Sequence, residues 1–309
     1  MAGIGIIVNP KGRHYKQDPG RIQRLSFIVG DKGSYSPTED LHDLRRVLEE
    51  FKTRDIDILG IGGGDGTNHV VLTHLIDIYG EKELPQLAFL RGGTMNTLAN
   101  SVGIKGAPEK ILSRLIYKYH EGKSFKTDEL DIMKINDEYG FIFGCGGIYN
   151  FMQAYYAGSW TASPPKAVYT LGRSVASAMV NGAFARQLFE RIDGEITVDG
   201  ETWPYKNYSA IVSSSIPVLG LHFRVFHYSD RPGCFHAMAL SMPPRNVLPA
   251  GPSLFLGREH KKDGILEKPA KEMRVSMEKP MGFTIDGDML KPQKDFVIKN
   301  GPRLKILVR

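Results

Sequence analysis

The chain is poor in cysteine. It has two, Cys145 and Cys234, in 309 residues. They lie far apart and form no C-x-x-C pair, which excludes a disulfide framework and a cysteine-built metal site. No apolar run reaches the roughly 18 to 20 residues a membrane span needs. The most apolar stretch, residues 209–223 (SAIVSSSIPVLGLHF), is broken by Pro217 and serines and reads as strand and turn. No basic segment precedes an apolar one at the start, and no cleavage site follows, so a cytoplasmic protein is expected. Internal repeats and low-complexity tracts are missing as well. Basic and aromatic residues do not cluster as they do in a nucleic-acid domain, so no nucleic-acid partner is expected. The nine histidines are scattered. His69 and His74 are five apart and share a helical face poorly, which suits surface or packing roles.

What remains is an ordinary globular composition, 41% apolar and 24% charged. The length exceeds what one hydrophobic core usually organises and suggests two domains. The formal charge of +6 suits anionic partners such as nucleotides or an acidic membrane surface, or serves solubility alone. Oligomeric state is left open, a homodimer included.

Along the chain, GIGIIVNP reads as a buried strand stopped by Asn-Pro. SFIVGD reads as a second short strand. SPTEDLHDLRRVLEEFKTR reads as a helix started by Ser36 or Thr38, with acids early and bases late. DIDILGIGGG is a strand running into glycines, and TNHVVLTHLIDIYG a helix ending at Gly80. QLAFLRGGT, MNTLANSVG and APEKILSRLIYKYHEG continue as strand, helix and helix. This alternation predicts a parallel sheet with helices on its faces. Near Asp128 the pattern changes. ELDIMKIN and EYGFIFGCGGI form an expected hairpin. A helical stretch near residues 159–192 follows, and then short strands punctuated by Gly, Pro and Asp, the pattern of an antiparallel β-sandwich. The expected division is an α/β domain over residues 1–127 and a β-sandwich over 128–289.

Three loops follow strands of the first part: residues 9–12 (NPKG), 62–67 (GGGDGT) and 92–96 (GGTMN). Ligands of open parallel sheets bind beyond the carboxyl ends of the strands. Glycines let backbone N–H groups approach phosphate oxygens, and a helix N-terminus adds positive potential. The hydroxyls of Thr67 and Thr94 are further donors. Neither G-x-x-x-x-G-K-[ST] nor G-x-G-x-x-G after a strand is present. One acid, Asp65, sits inside the second loop, where a carboxylate should repel a phosphate.

GGDGT at residues 63–67, followed by GGTMNTLA at 92–99, resembles the diacylglycerol kinase catalytic domain. NAD kinases and phosphofructokinases carry loops similar to the pentapeptide. The ordered set of Asn9-Pro10, the Asp65 loop, Thr94 and Asn96, Asp131 in LDIMKIN, and Asp286-Gly287-Asp288 resembles the lipid kinases over nearly the whole chain. The resemblance implies an N-terminal nucleotide domain of the NAD kinase and phosphofructokinase type, completed by residues 290–309, and a lipid-substrate β-sandwich. It implies transfer of the γ-phosphoryl group of ATP, with Mg²⁺, to a lipid alcohol such as a diacylglycerol or sphingoid base, with transient peripheral contact to a membrane surface.

Such transfer needs a phosphate cradle, a cation to offset charge and a base for the hydroxyl proton. On the resemblance, Asp65 is the expected base, with Asp286 its rival and Asp131 positioning the acceptor. Asn9, Pro10, Gly63, Gly64, Gly66, Thr67, Gly93, Thr94 and Asn96 are the expected nucleotide contacts, joined by Asp288 and Lys166. Asp65 and Asp288 are the expected Mg²⁺ ligands. Two departures stand out. Residues 9–13 read Asn-Pro-Lys-Gly-Arg, without the family's serine, and Asp288 replaces its glutamate. The family's structural cation site is not expected, since SDRPGCFHA keeps Asp230 alone. An inactive nucleotide- or lipid-binding regulator is the alternative. An NAD kinase would carry a T-x-G-S-T-A-Y-like segment, which does not occur.

Overall fold

The computed structural model describes residues 3–159, 161, 163–220, 223–259 and 262–308. Contacts divide the chain into two compact units, Met1–Leu130 with Arg303–Arg309, and Asp131–Pro302. Among the described residues no helix is long and apolar enough to cross a membrane.

The first unit runs β1 (Ile4–Val8), α1 (Arg13–Gln17), α2 (Gly20–Val29), β2 (Ser34–Pro37), α3 (Leu41–Arg54), β3 (Ile58–Gly62), α4 (Asp65–Tyr79), β4 (Gln86–Phe89), α5 (Thr97–Ser101) and α6 (Pro108–His120). The strands pair in parallel in the order β2-β1-β3-β4, and the returning chain adds Ile306 beside Leu87 of β4. β1 and β3 are buried along their whole length, which is why they read as unbroken apolar runs rather than alternating ones. On one face Ile4, Ile6 and Val8 meet Leu25, Val29, Leu112, Leu115 and Leu307. On the other, the Phe51 ring of α3 lies so close to Gly5 that a Cβ there would come within 2.5 Å of it. α3 turns Leu44, Val47, Leu48 and Phe51 inward at helical spacing. Each such side chain contributes about 1.5–3 kcal/mol when fully buried.

Two local expectations are corrected. SFIVGD is not a strand, because its residues 26–29 form the last turn of α2. Leu25 and Val29, four apart, are buried, while Phe27 between them is 88% exposed. A strand would have put all three on one side. The helix ends at Gly30, at φ +52°. α3 starts later than Ser36 or Thr38. Its cap is Asp40, whose side chain accepts the Asp43 N–H at 2.8 Å.

The second unit begins within β5 (Lys126–Ile135), which forms a hairpin with β6 (Glu138–Gly140), followed by β7 (Ile142–Gly146). Three helices come next, α7 (Gly147–Tyr156), α8 (Pro164–Met179) and α9 (Ala183–Leu188), so helix starts earlier than expected. The remaining strands are β8 (Ile192–Val198), β9 (Glu201–Thr202), β10 (Asn207–Tyr208), β11 (Ala210–Ser214), β12 (Val218–Leu219), β13 (Phe223–Arg224), β14 (Phe235–Leu240), β15 (Ile265–Ala270), β16 (Glu272–Ile285) and β17 (Asp288–Val308). β16 is the spine of this unit. Its first half pairs with β8 and its last residues with β7, and its antiparallel pairing with β17 carries register shifts between Ser276 and Phe283. β7 pairs onward to β11, β14 and β15, all antiparallel. Phe143, Ile211 and Phe235 from one half pack with Ile196, Val275 and Phe296 from the other in one core. This is the antiparallel layering that the short punctuated strands predict.

Candidate active site

In the first unit β2 lies on one side of β1 and β3 on the other, so the order in which strands are added to the sheet reverses between β1 and β3. That boundary is where doubly wound sheets bind ligands, beyond the strand carboxyl ends. The loops after β1, β3 and β4 gather there. Asn9 N–H donates to the Gly62 carbonyl at 3.0 Å, and Gly92 N–H to the Gly63 carbonyl at 2.6 Å.

The glycines of two loops lie backbone on backbone. A Cβ on Gly93 would sit 2.3 Å from the Gly64 Cα, and one on Gly92 2.9 Å from the Gly63 Cα. A Cβ on Gly63 would strike the Thr67 side chain at 2.3 Å. No other residue fits at Gly92 or Gly93 without moving a main chain.

Asp65 opens α4, and Gly64 is its cap. Its carboxylate reaches beyond its own helix. It crosses to the next loop and accepts the Thr97 N–H at 2.9 Å and the Leu98 N–H at 3.1 Å, one on each oxygen. Asp65 therefore caps α5 from another element. Gly66 and Thr67 follow in the first turn of α4, where N–H groups have no intrahelical acceptor.

Side-chain amides hold the other loops. Asn96 is buried in the left-handed region, at φ 49°. Its Oδ1 accepts the Gly93 N–H at 3.0 Å and its Nδ2 donates to the Gly93 carbonyl at 2.8 Å. Asn9 Nδ2 donates to the Thr67 hydroxyl at 3.0 Å, while Asn9 Oδ1 accepts the Lys11 N–H at 2.9 Å. The turn with Pro10 is thereby tied to the Asp65 loop. Arg13 donates to the Thr94 hydroxyl at 3.2 Å, so one of the two unexpected cations of this loop reaches the Gly93 loop. Lys11 donates instead to the Glu39 carbonyl at 2.7 Å. Beneath the loops, burial pushes the Tyr15 phenol well above its usual range. Burial and the charges of Arg21 and Arg13 push the His14 imidazole below its ordinary value.

The other expected residues belong to the second unit. Asp286 and Gly287, at φ 50° and 89°, make the two-residue turn between β16 and β17, the left-handed pair that Asp-Gly favours. The Asp286 carboxylate accepts the Phe141 N–H at 3.0 Å and the Ile142 N–H at 2.8 Å. Asp288 starts β17 opposite Ile285. Asp131, on β5, accepts the Gly233 N–H at 2.6 Å. Lys166 is buried in the first turn of α8, and its ammonium donates to the Ala157 carbonyl at the end of α7, at 2.7 Å.

Two groupings had no signal in the sequence. His236 Nε2 lies 3.3 Å from Glu267 in the core of the second unit, with His227 beside them. Only the pairing of β14 with β15 brings residues 236 and 267 together. In the first unit, a cavity of about 420 Å³ has apolar walls, among them Phe89, Ile111 and Phe125, and a rim of Lys105, Lys110, Arg114 and Lys118.

Residues 4–125 match the family model described as diacylglycerol kinase catalytic domain. Through these residues the chain is similar to the diacylglycerol kinase catalytic domain family. The "Probable lipid kinase YegS" of Escherichia fergusonii is 37% identical over 140 residues, 44% of this chain and 43% of that one. The protein of the same name from Salmonella arizonae is 35% identical over 100 residues, 32% of this chain and 31% of its own. The matched stretches span less than half of either relative. The crystal structure of a diacylglycerol kinase from Bacillus anthracis str. Sterne superposes with a TM-score of 0.65 at 15% identity, over 100% of this chain and 97% of that one. At this identity the likeness shows the fold alone. The matched catalytic domain takes in the loops at Asn9, Asp65 and Asn96, while Asp131, Lys166, Asp286 and Asp288 lie beyond it.

Proposed function

We propose that the protein is a lipid kinase that transfers the γ-phosphoryl group of ATP to a lipid hydroxyl. The observation that carries this reading is the pair of glycine loops packed main chain to main chain at the switch point of the parallel sheet. They leave no side chain between the backbone and an incoming triphosphate. Gly66 and Thr67 offer first-turn N–H groups of α4, a positive helix end that favours phosphate. The Thr67 hydroxyl, fixed from behind by Asn9, keeps its proton to donate. Arg13 and Thr94 offer further donors on the neighbouring loop.

Asp65 fits a Mg²⁺–nucleotide by its chemistry, since a hard cation takes one or two carboxylates and keeps several waters. Asp288 is the second acid that the resemblance assigns to the ion. When bound, the ion supplies positive charge against the triphosphate. The chain's own part is to orient the phosphates and take the acceptor proton, at Asp65 or at its rival Asp286. Asp131 is assigned to positioning, and Lys166 supports the start of α8.

A second reading is a nucleotide-binding regulator without transfer. One observation favours it: both rival bases already carry two backbone N–H groups. Calorimetry with ATP and Mg²⁺, beside transfer assays on a panel of lipid alcohols, separates the two. Binding with transfer supports the kinase. Binding without transfer to any acceptor supports the regulator, and no binding contradicts both.

A further inference from the structure

The cavity of the first unit brings together two chemistries, hydrocarbon walls and a cationic rim. Its volume of about 420 Å³ is that of a small-molecule site. Phe89 of β4 and Leu307 of β17 line it from the sheet, and Ile111 and Leu115 line it from α6, with Phe125 beyond the helix. Phe89, Leu115 and Leu307 are buried, while Ile111 and Phe125 are half-buried, so the space runs from the core to the surface. Among the described residues none from the loops at Asn9, Asp65 and Asn96 lines it.

The rim is a row of cations. Lys110, Arg114 and Lys118 recur every four residues of α6, about 6 Å apart along its axis, and Lys105 precedes the helix. Lys105, Lys110 and Arg114 are exposed, and the Lys118 ammonium lies 5.7 Å from the centre of the Phe125 ring. Among the described residues no acid pairs with any of the four. The one acid within α6, Glu109, is taken by α2, through Arg21 at 2.7 Å and Arg24 at 3.4 Å.

Four like charges beside an apolar space repel one another, and an anion relieves that repulsion. An inorganic anion would leave the hydrocarbon walls unfilled. A neutral hydrocarbon would leave the cations without a partner. A molecule with an alkyl chain and an anionic head satisfies both. A phosphate monoester carries close to two charges at neutral pH, which suits a row of cations better than a single carboxylate does.

We propose that this cavity binds one molecule of a single-chain alkyl phosphate, its chain between α6 and the sheet and its phosphate at the cation row. The site lies wholly in the first unit and shares no residue with the glycine loops. It therefore goes beyond the kinase reading and does not depend on it.

The test is calorimetry with dodecyl phosphate, kept below its micelle-forming concentration as checked by light scattering. The parent should bind it, with affinity rising about threefold per methylene from octyl to dodecyl phosphate. Dodecanol should bind at least about tenfold more weakly, and inorganic phosphate more weakly still. ATP with Mg²⁺ should not displace the ligand. Lys110→Glu, Arg114→Glu, two changes at exposed side chains, should weaken dodecyl phosphate at least about tenfold and leave dodecanol unchanged. Ile111→Trp, which fills the space, should abolish the gain with chain length. Circular dichroism checks both folds, and if Ile111→Trp does not fold the charge-reversal variant decides. No binding by the parent, equal binding of inorganic phosphate, or displacement by ATP overturns the proposal. Unchanged binding by the folded variants also overturns it and assigns the ligand to another part of the chain.

Discussion

The Asp65 carboxylate holds the start of another helix, accepting the Thr97 N–H at 2.9 Å and the Leu98 N–H at 3.1 Å. An acid in a phosphate loop thus has a structural task besides any chemical one. It fastens the loop after β4 to the loop after β3. Asp65→Ala should therefore lower stability by about 2 kcal/mol, because two helix-end N–H groups lose a charged acceptor. Asp65→Asn, which keeps one acceptor oxygen, should lose roughly half of that. Urea unfolding checks both. If both variants unfold at the parent midpoint, the capping role is wrong and lost activity can be assigned to chemistry alone.

Asn96 grips the Gly93 peptide from both sides. Asn96→Ala leaves a buried N–H and a buried carbonyl unpaired, at about 1–3 kcal/mol. The loss should also loosen the Gly93 loop and weaken ATP binding. Asn96→Asp, which keeps the acceptor but not the donor, should fall between. Calorimetric ATP affinity and urea midpoints report the two effects separately.

The two thiols should behave oppositely. Cys145 is fully buried on β7, and burial pushes its thiol up to about 12. Cys234 is only half-buried. The thiolate is the reactive form. Iodoacetamide near neutral pH should therefore label Cys234 alone in the native protein and both cysteines after unfolding, as read by mass spectrometry. Labelling of Cys145 in the native state would contradict the packing of the second unit's core.

His14 gives a pH signature. Its folded imidazole is held below the ordinary value of 6.5 by burial and by the charges of Arg21 and Arg13. The unfolded chain therefore binds the proton more readily, and stability falls as pH drops through the unfolded value. Urea midpoints should decline from about pH 7.5 to about pH 5.5, and more gently in His14→Gln. A steeper decline in the variant would reverse the sign.

The fold is legible where burial and punctuation agree. β1 and β3 are apolar runs closed by Asn-Pro or glycine, and α4 and α6 have helical spacing with clear ends. SFIV fails because three apolar residues suit either period. Its helical state is decided by α2 packing on α6, where Arg21 and Glu109 also pair at 2.7 Å. The α3 cap fails because Ser36, Thr38 and Asp40 all offer oxygens, and only the backbone selects among them. Motifs locate the Asp65 and Asn96 loops. They do not disclose that Asp65 bonds residues 32 and 33 positions away, because that link exists only once β3 and β4 pair.

The central claim is that the packed glycine loops hold ATP for transfer to a lipid. Its most direct test is transfer from γ-labelled ATP, with Mg²⁺, to a panel of lipid alcohols by the parent and by Gly93→Ala. A Cβ at Gly93 would sit 2.3 Å from the Gly64 Cα and must force the two loops apart. The account predicts labelled lipid phosphate from the parent and, from a folded Gly93→Ala protein, at least about a hundredfold less. Equal transfer by the two proteins, or no labelled lipid from the parent with any acceptor, would contradict it.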